Sequence, residues 1–233
     1  IIANEASMHT RTARTVWAAI PTMPVFAEKP FPTFGGQTFG DLLENHDPVL
    51  LVDHTQLFNE HLLSVKKALA GVPPAHIRWT DRGVGPVRAD CNPLWDYGPH
   101  GVAAVLYLAG FPFKGGVHVR DAWLDKSAEG CTIDFELQLG ARTAGTISVG
   151  NNAIEKARHC SVKPTGGIVT HTFEGLLPCA TPPLSAALAA FCDAVKAGKA
   201  PEGDIRFGWD LPLAVSQVLA DVEEVLARRC TSL

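Results

Sequence analysis

The chain has 233 residues, of which 46% are hydrophobic and 19% charged, and its formal net charge is −4 at pH 7. That profile is one of an ordinary globular protein with one large or two modest domains. Lysines and arginines are scattered rather than gathered into a stripe, and no stretch approaches the ~18 apolar residues that span a bilayer, so neither nucleic acid nor a membrane is expected as a partner.

Ile1 to Ala3 reads as the tail of a buried strand. A helix-like stretch follows from about Ser7 to Ile20, and the apolar strand Pro24 to Ala27 then runs straight into Glu28-Lys29-Pro30. A second helix is expected over residues 34 to 45, followed by a strand from Val49 to Val52. Strands alternating with helices imply βαβ units, a parallel sheet and right-handed crossovers, so this segment reads as half of a doubly wound domain. Lys29 would stand at the carboxyl rim of that sheet, where ligands collect. Taken alone, the tripeptide reads more simply as two solvated charges opening a loop, with Pro30 ending the strand. No G-x-G-x-x-G turn follows a strand, and Gly35-Gly36, Gly115-Gly116 and Gly166-Gly167 read as turn glycines.

The texture changes after Val52. Residues 54 to 70 have amphipathic helical spacing (Leu57, Phe58, Leu62, Val65, Leu69) closed by Gly71, which opens a second domain. Next come a strand near His76 to Thr80, a loop rich in Gly, Pro and Arg, the element Asp96-Tyr-Gly-Pro-His100, and an apolar helix from Val102 to Leu108. Pro99 suits a first helical turn, which would put His100 near the amino end of that helix, close to Asp96. From Val117 to Thr172, alternating runs separated by turn signals predict antiparallel strands with one face available for burial. Helices over Pro183 to Ala197 and Leu211 to Arg228 complete the chain. The six cysteines are far apart and the nine histidines form no ligand motif, so reduced thiols, no metal site and, with no signal peptide, a cytoplasmic setting are expected.

Five segments in order carry a resemblance: Ile2-Ala-Asn-Glu-Ala-Ser-Met-His9, Phe26-Ala-Glu-Lys-Pro30, Val52-Asp-His-Thr-Gln-Leu-Phe-Asn59, Leu94-Trp-Asp-Tyr-Gly-Pro-His100 and Pro183-Leu-Ser-Ala-Ala-Leu-Ala-Ala-Phe191. The set resembles the glucose-fructose oxidoreductase and inositol dehydrogenase family (Gfo/Idh/MocA) over almost the whole chain. The resemblance implies an α/β plus α+β fold. Residues 1–53 would be the C-terminal half of a Rossmann domain, and 54–233 an α+β domain with a large, mostly antiparallel open sheet. It also implies hydride transfer between NAD or NADP and a hydroxyl or keto carbon of a sugar, cyclitol or nucleotide sugar.

Carried over by position, Lys29 is the catalytic lysine, with Asp96 and His100 its partners from the second domain. The chemistry agrees. Removing a hydride from a carbinol carbon builds negative charge on the oxygen unless its proton leaves, so a cation (Lys29) and a base (His100) both help. Asp96 would orient the histidine or bind another hydroxyl. Asn4, Glu5, His9, Glu28 and Lys29 fall where the family's chain passes the cofactor, although Glu5 stands where proline is common and His9 fits a helix cap equally well. Lys29, Asp96 and His100 would contact substrate. Arg88 offers a fork for an anionic group, although surface solvation is its simpler role. His54 and Gln56 fit substrate contact or core packing alike, and Trp95 and Trp123 read as packing.

The family's second domain commonly pairs through its open sheet, which implies a homodimer or homotetramer. The segment that should hold a pyrophosphate is missing, and an apolar Ile1–Ala3 strand would leave an edge unpaired. An incomplete record of a longer enzyme is therefore expected, with a non-catalytic sugar-binding or scaffold relative as the alternative.

Overall fold

The computed structural model describes residues 1–32, 48–84, 91–127, 130–167 and 170–230. The helix expected over residues 34 to 45, the Gly35-Gly36 pair and Arg88 lie outside the described residues. Two short apolar strands, β1 (Val25–Ala27) and β2 (Leu50–Val52), are buried throughout and pair in parallel, Ala27 against Val52. Ile2 adds a parallel bridge to Ala27 on the other edge of β1, so the expected first strand is present as a single bridge. On the far side of β2, Phe207 bridges Leu51 in the antiparallel sense, and Gly208 N donates to Leu50 O at 2.9 Å.

Helix α1 (His9–Ala19) follows a 3₁₀ turn at Ala6–Met8 and buries His9, Ala13 and Trp17, spaced by four so that they form one stripe. Trp17 meets Trp209 edge-on at 5.2 Å, and Trp209 stacks on Phe31 at 5.8 Å. Residues 54 to 70 form two pieces rather than one helix. A 3₁₀ turn at Thr55–Phe58 ends where Asn59 turns extended, and the Asn59 side chain then accepts from His61 N to cap α2 (Glu60–Ala68).

The six-stranded sheet runs β4 (Val117–Ser127), β5 (Gly130–Leu139), β6 (Thr143–Gly150), β3 (Pro74–Val84), β7 (Asn152–Pro164), β8 (His171–Glu174). Every neighbouring pair is antiparallel except β3 with β6. Alternation along β3 divides its residues: Ile77, Trp79 and Asp81 are buried on the core face, while Arg78 is exposed and Thr80 and Arg82 are half-buried on the other. That other face is polar; Arg82 donates to Ser148 and pairs with Asp134 at 3.7 Å.

Helix α3 (Pro93–Ala109) lies on the core face and starts nine residues before the apolar run that predicts it. Asn92 is its N-cap, accepting from Trp95 N at 3.1 Å, and Pro93 occupies the first-turn slot assigned above to Pro99, which lies inside the helix. The helix sits so close to the sheet that a Cβ on Gly101 would be 2.6 Å from Trp79 Cδ1. On its outer side it meets α5 (Asp210–Cys230), where a Cβ on Gly98 would be 2.7 Å from Leu219. Helix α4 (Pro183–Ala197) brings Phe191 edge-on to Phe26 at 5.7 Å. The six cysteines are free, and no helix of the described residues is long and apolar enough to cross a membrane.

Candidate active site

Parallel pairing of β1 and β2 brings their carboxyl ends together, and each delivers polar residues as soon as its apolar run stops. Asp53 N donates to Ala27 O at 2.8 Å and Glu28 N to Ile2 O at 2.8 Å, so Glu28-Lys29 and Asp53-His54 leave the sheet side by side. The Lys29–Pro30 peptide is cis. Lys29 Nζ reaches helix α3, donating to Asp96 Oδ1 at 2.7 Å and to Asp96 O at 2.6 Å. Both side chains are less than one-fifth exposed, so this ion pair is screened far less than a surface one. Asp96 lies in the first turn of α3, where the helix dipole also favours its negative charge.

Lys29 and Asp96 form one wall of a cavity of about 300 Å³, completed by Ala3, Asn4, Ala6, His9, Glu28, Pro30 and Cys91. His9 is buried and spans this rim: Nδ1 lies 3.0 Å from Pro30 O and Nε2 2.9 Å from Asn4 O. It thus laces the turn after Ile2 to the turn after Lys29. Asn4 donates to Thr12 Oγ1 at 2.9 Å, which fixes its side chain against α1. On the core face of the six-stranded sheet, Asp81 on β3 opposes Arg158 on β7 and accepts from its Nε at 2.8 Å.

No family model and no curated protein matches this sequence. Solved structures do match. GenD2 from gentamicin A biosynthesis, in complex with NAD, superposes with a TM-score of 0.74 at 18% identity, over 97% of this chain and 75% of that one. KijD10, a 3-ketoreductase from Actinomadura kijaniata in complex with TDP-benzene and NADP, gives 0.72 at 16% identity, over 95% and 75%. Apo scyllo-inositol dehydrogenase from Lactobacillus casei gives 0.69 at 12% identity, over 96% and 75%. This chain has the Gfo/Idh/MocA oxidoreductase fold.

Within this Gfo/Idh/MocA fold, the structure places Asn4, His9, Glu28, Lys29 and Asp96 on one cavity, and Glu5 and His100 outside its lining. His100 follows Asp96 by one helical turn on α3, partly exposed, with Nδ1 enclosed and unpartnered. Burial first, then Lys29, Arg158 and His54, hold the His100 imidazole neutral, well below its ordinary 6.5. The Asp96 carboxylate accepts from Lys29, in addition to the roles expected for it of orienting the histidine or binding another hydroxyl. Trp95 donates its indole N–H to Glu223 at 2.8 Å, and Trp123 lies under the Arg229 guanidinium.

Several groups carry more than the sequence reading gave them. Asp53 had no role there, and the Asp81–Arg158 pair becomes visible only through strand register. His54 and Gln56 are buried, His54 with both ring nitrogens unpartnered. The structure also gathers Glu60, His61 and Cys179, with ligand atoms within 4.8 Å of one another, although their spacing in sequence is no metal motif. Bonds from these side chains to the loop backbone, His61 Nε2 with Pro178 O and Ala180 N donating to Glu60 Oε1, account for that contact as loop docking.

Burial and the neighbouring Glu28 raise Asp53 from its ordinary 3.8 to about 7, while burial and Lys29 lower His54 from 6.5 to about 3. Between pH 4.5 and 6.5, unfolding therefore releases a proton from Asp53 and takes one up at His54, and their effects on stability oppose each other. Removing either one unmasks the other. Relative to the unmodified chain, Asp53→Asn should add a slope of about +1.4 kcal/mol per pH unit to unfolding free energy in that window, and His54→Phe about −1.4. Urea unfolding at pH 4.5, 5.5 and 6.5 measures both; parallel curves for all three proteins would contradict the assignment.

Proposed function

We propose that this chain carries the substrate side of an NAD(P)-dependent oxidoreductase that interconverts a CH–OH group and a carbonyl on a sugar, cyclitol or nucleotide sugar. Residues 1–53 would face the cofactor, and 54–233 would supply substrate contacts and self-association through the open sheet. The observation that carries this reading is the Lys29–Asp96 pair, held from two separate elements on the rim of a cavity at the carboxyl end of β1. GenD2 with NAD and KijD10 with NADP support the cofactor class. Small side chains at Ala3 and Ala6 and a cavity of about 300 Å³ suit a ring the size of nicotinamide. Six free cysteines suit a reducing cytoplasm.

The cofactor would supply the hydride acceptor or donor. In oxidation, the carbinol carbon loses its hydride while the hydroxyl proton passes to neutral His100, leaving a C=O and an imidazolium; reduction runs the same transfers backwards. Lys29 hydrogen-bonds the reacting oxygen and stabilises the charge that builds on it, and Asp96 holds the ammonium in place. Glu28 and Asn4 line the cofactor side.

Nicotinamide absorbance, followed with both cofactors across a panel of sugars, inositols and nucleotide sugars, tests the proposal. Turnover is expected with at least one compound, and His100→Gln should lower its kcat by about 10²-fold or more. Lack of turnover across the panel, with the protein folded and the cofactor shown to bind, would overturn it.

A further inference from the structure

We propose that Glu28 and Asp53 are one proton-sharing acid pair, with Asp53 the protonated member, and that this proton sets the charge felt by Lys29. Asp53 is then a positioning residue, acting through Glu28 and the lysine rather than on substrate. Its role in turnover rests on the oxidoreductase reading; the shared proton itself does not.

The argument starts from strand register. Ala27 and Val52 are paired, so the residues that follow them, Glu28 and Asp53, emerge as neighbours, with Asp53 N tied to Ala27 O at 2.8 Å. That register sets the two carboxyl groups beside each other, and Glu28 adds to burial in raising Asp53. An ionised carboxylate only accepts, so two adjacent carboxyl groups can bond each other only by sharing a proton. Burial decides which group keeps it. Asp53 is 5% exposed, with Oδ1 enclosed and unpartnered, whereas Glu28 lines the cavity and is half-buried. Ionisation is costlier in the drier place, so the proton belongs to Asp53.

The surrounding charges explain why this matters. Glu28 and Lys29 at the end of β1 act on Asp53, and Lys29 in turn acts on His54 at the end of β2, Asp96 and His100 on α3, and Asp81 of the Asp81–Arg158 pair. With both histidines neutral, Lys29 faces Asp96 and a pair bearing a single negative charge. Loss of the shared proton would put a second negative charge beside the lysine, opposing the same oxyanion that Lys29 has to stabilise. Asp53 lies near 7, so that loss falls within reach of ordinary pH.

Two measurements test the pair. Infrared difference spectra of the cofactor-free chain should show a protonated-carboxyl C=O stretch at pH 6 that disappears as pH rises through about 7. Asp53→Asn should lack this band, and Glu28→Gln should shift its loss to lower pH, because the charge that raises Asp53 is gone. A band absent from the unmodified chain, unchanged in Asp53→Asn, or unmoved in Glu28→Gln overturns the pair. In turnover, kcat/KM should fall by about tenfold per pH unit above the transition, and Asp53→Asn should abolish that limb. If the limb persists in Asp53→Asn, the link to Lys29 is overturned. A present band without turnover on any substrate would instead remove the oxidoreductase reading and leave the pair standing.

Discussion

Lys29→Ala is expected to lower kcat/KM for hydride transfer by about 10²- to 10³-fold, chiefly through kcat. Two effects combine. The reacting oxygen loses its hydrogen-bonding cation, and Asp96, which accepts from Lys29 at 2.7 Å, loses that counter-charge on the cavity wall. Asp96→Asn should be milder, because the lysine keeps its 2.6 Å bond to the Asp96 carbonyl oxygen. The double variant should fall well short of the product of the two losses, since both changes act on one ion pair. Steady-state kinetics of the four proteins decides this; full turnover in Lys29→Ala would sink the lysine's assigned role.

Arg158→Met is expected to be the most destabilising single change near the site, by about 3–5 kcal/mol, or on the order of 10 °C in Tm. Its partner Asp81 has no side-chain exposure and already has Oδ1 enclosed and unpartnered, so removing the guanidinium strands a buried charge. Burial raises Asp81 and Arg158 opposes that rise. Without the arginine Asp81 holds its proton to higher pH. An acid raised in the folded state loses stability as pH climbs from its unfolded value towards its folded one, so the deficit should be larger at pH 8 than at pH 5. Replacing both members, Arg158→Met with Asp81→Leu, should recover most of the loss, because an apolar pair needs no compensation. Thermal melts at the two pH values check each outcome. Equal stability of Arg158→Met and the unmodified chain would mean that Asp81 is already neutral.

Local chemistry made much of this molecule readable. Apolar runs broken by Glu28-Lys29-Pro30 and Asp53-His54 announce strand ends, and alternation from Val117 onward announces a sheet with one buried face. What stayed hidden depends on register or distance. Asp53 looks like any acid after a strand until the pairing of Ala27 with Val52 sets it beside Glu28. Asp81 and Arg158 sit 77 positions apart and become partners only across β3 and β7. The start of α3 was missed because its signal is a cap, Asn92 followed by Pro93, while the apolar periodicity begins later. Asp96 could be placed near Lys29 by resemblance, but its ion pair with the lysine follows from where α3 packs.

The return of residues 207–209 to the beginning of the fold also constrains how a ribosome can deliver this protein. Phe207 caps the free edge of β2, and Trp209 closes over Trp17 and Phe31. Strands β1 and β2 leave the exit tunnel long before the segment that covers them is made. During synthesis the nascent lysine-bearing half therefore waits with an uncapped strand and exposed aromatic rings, a state that chaperones recognise and that favours aggregation when translation stalls.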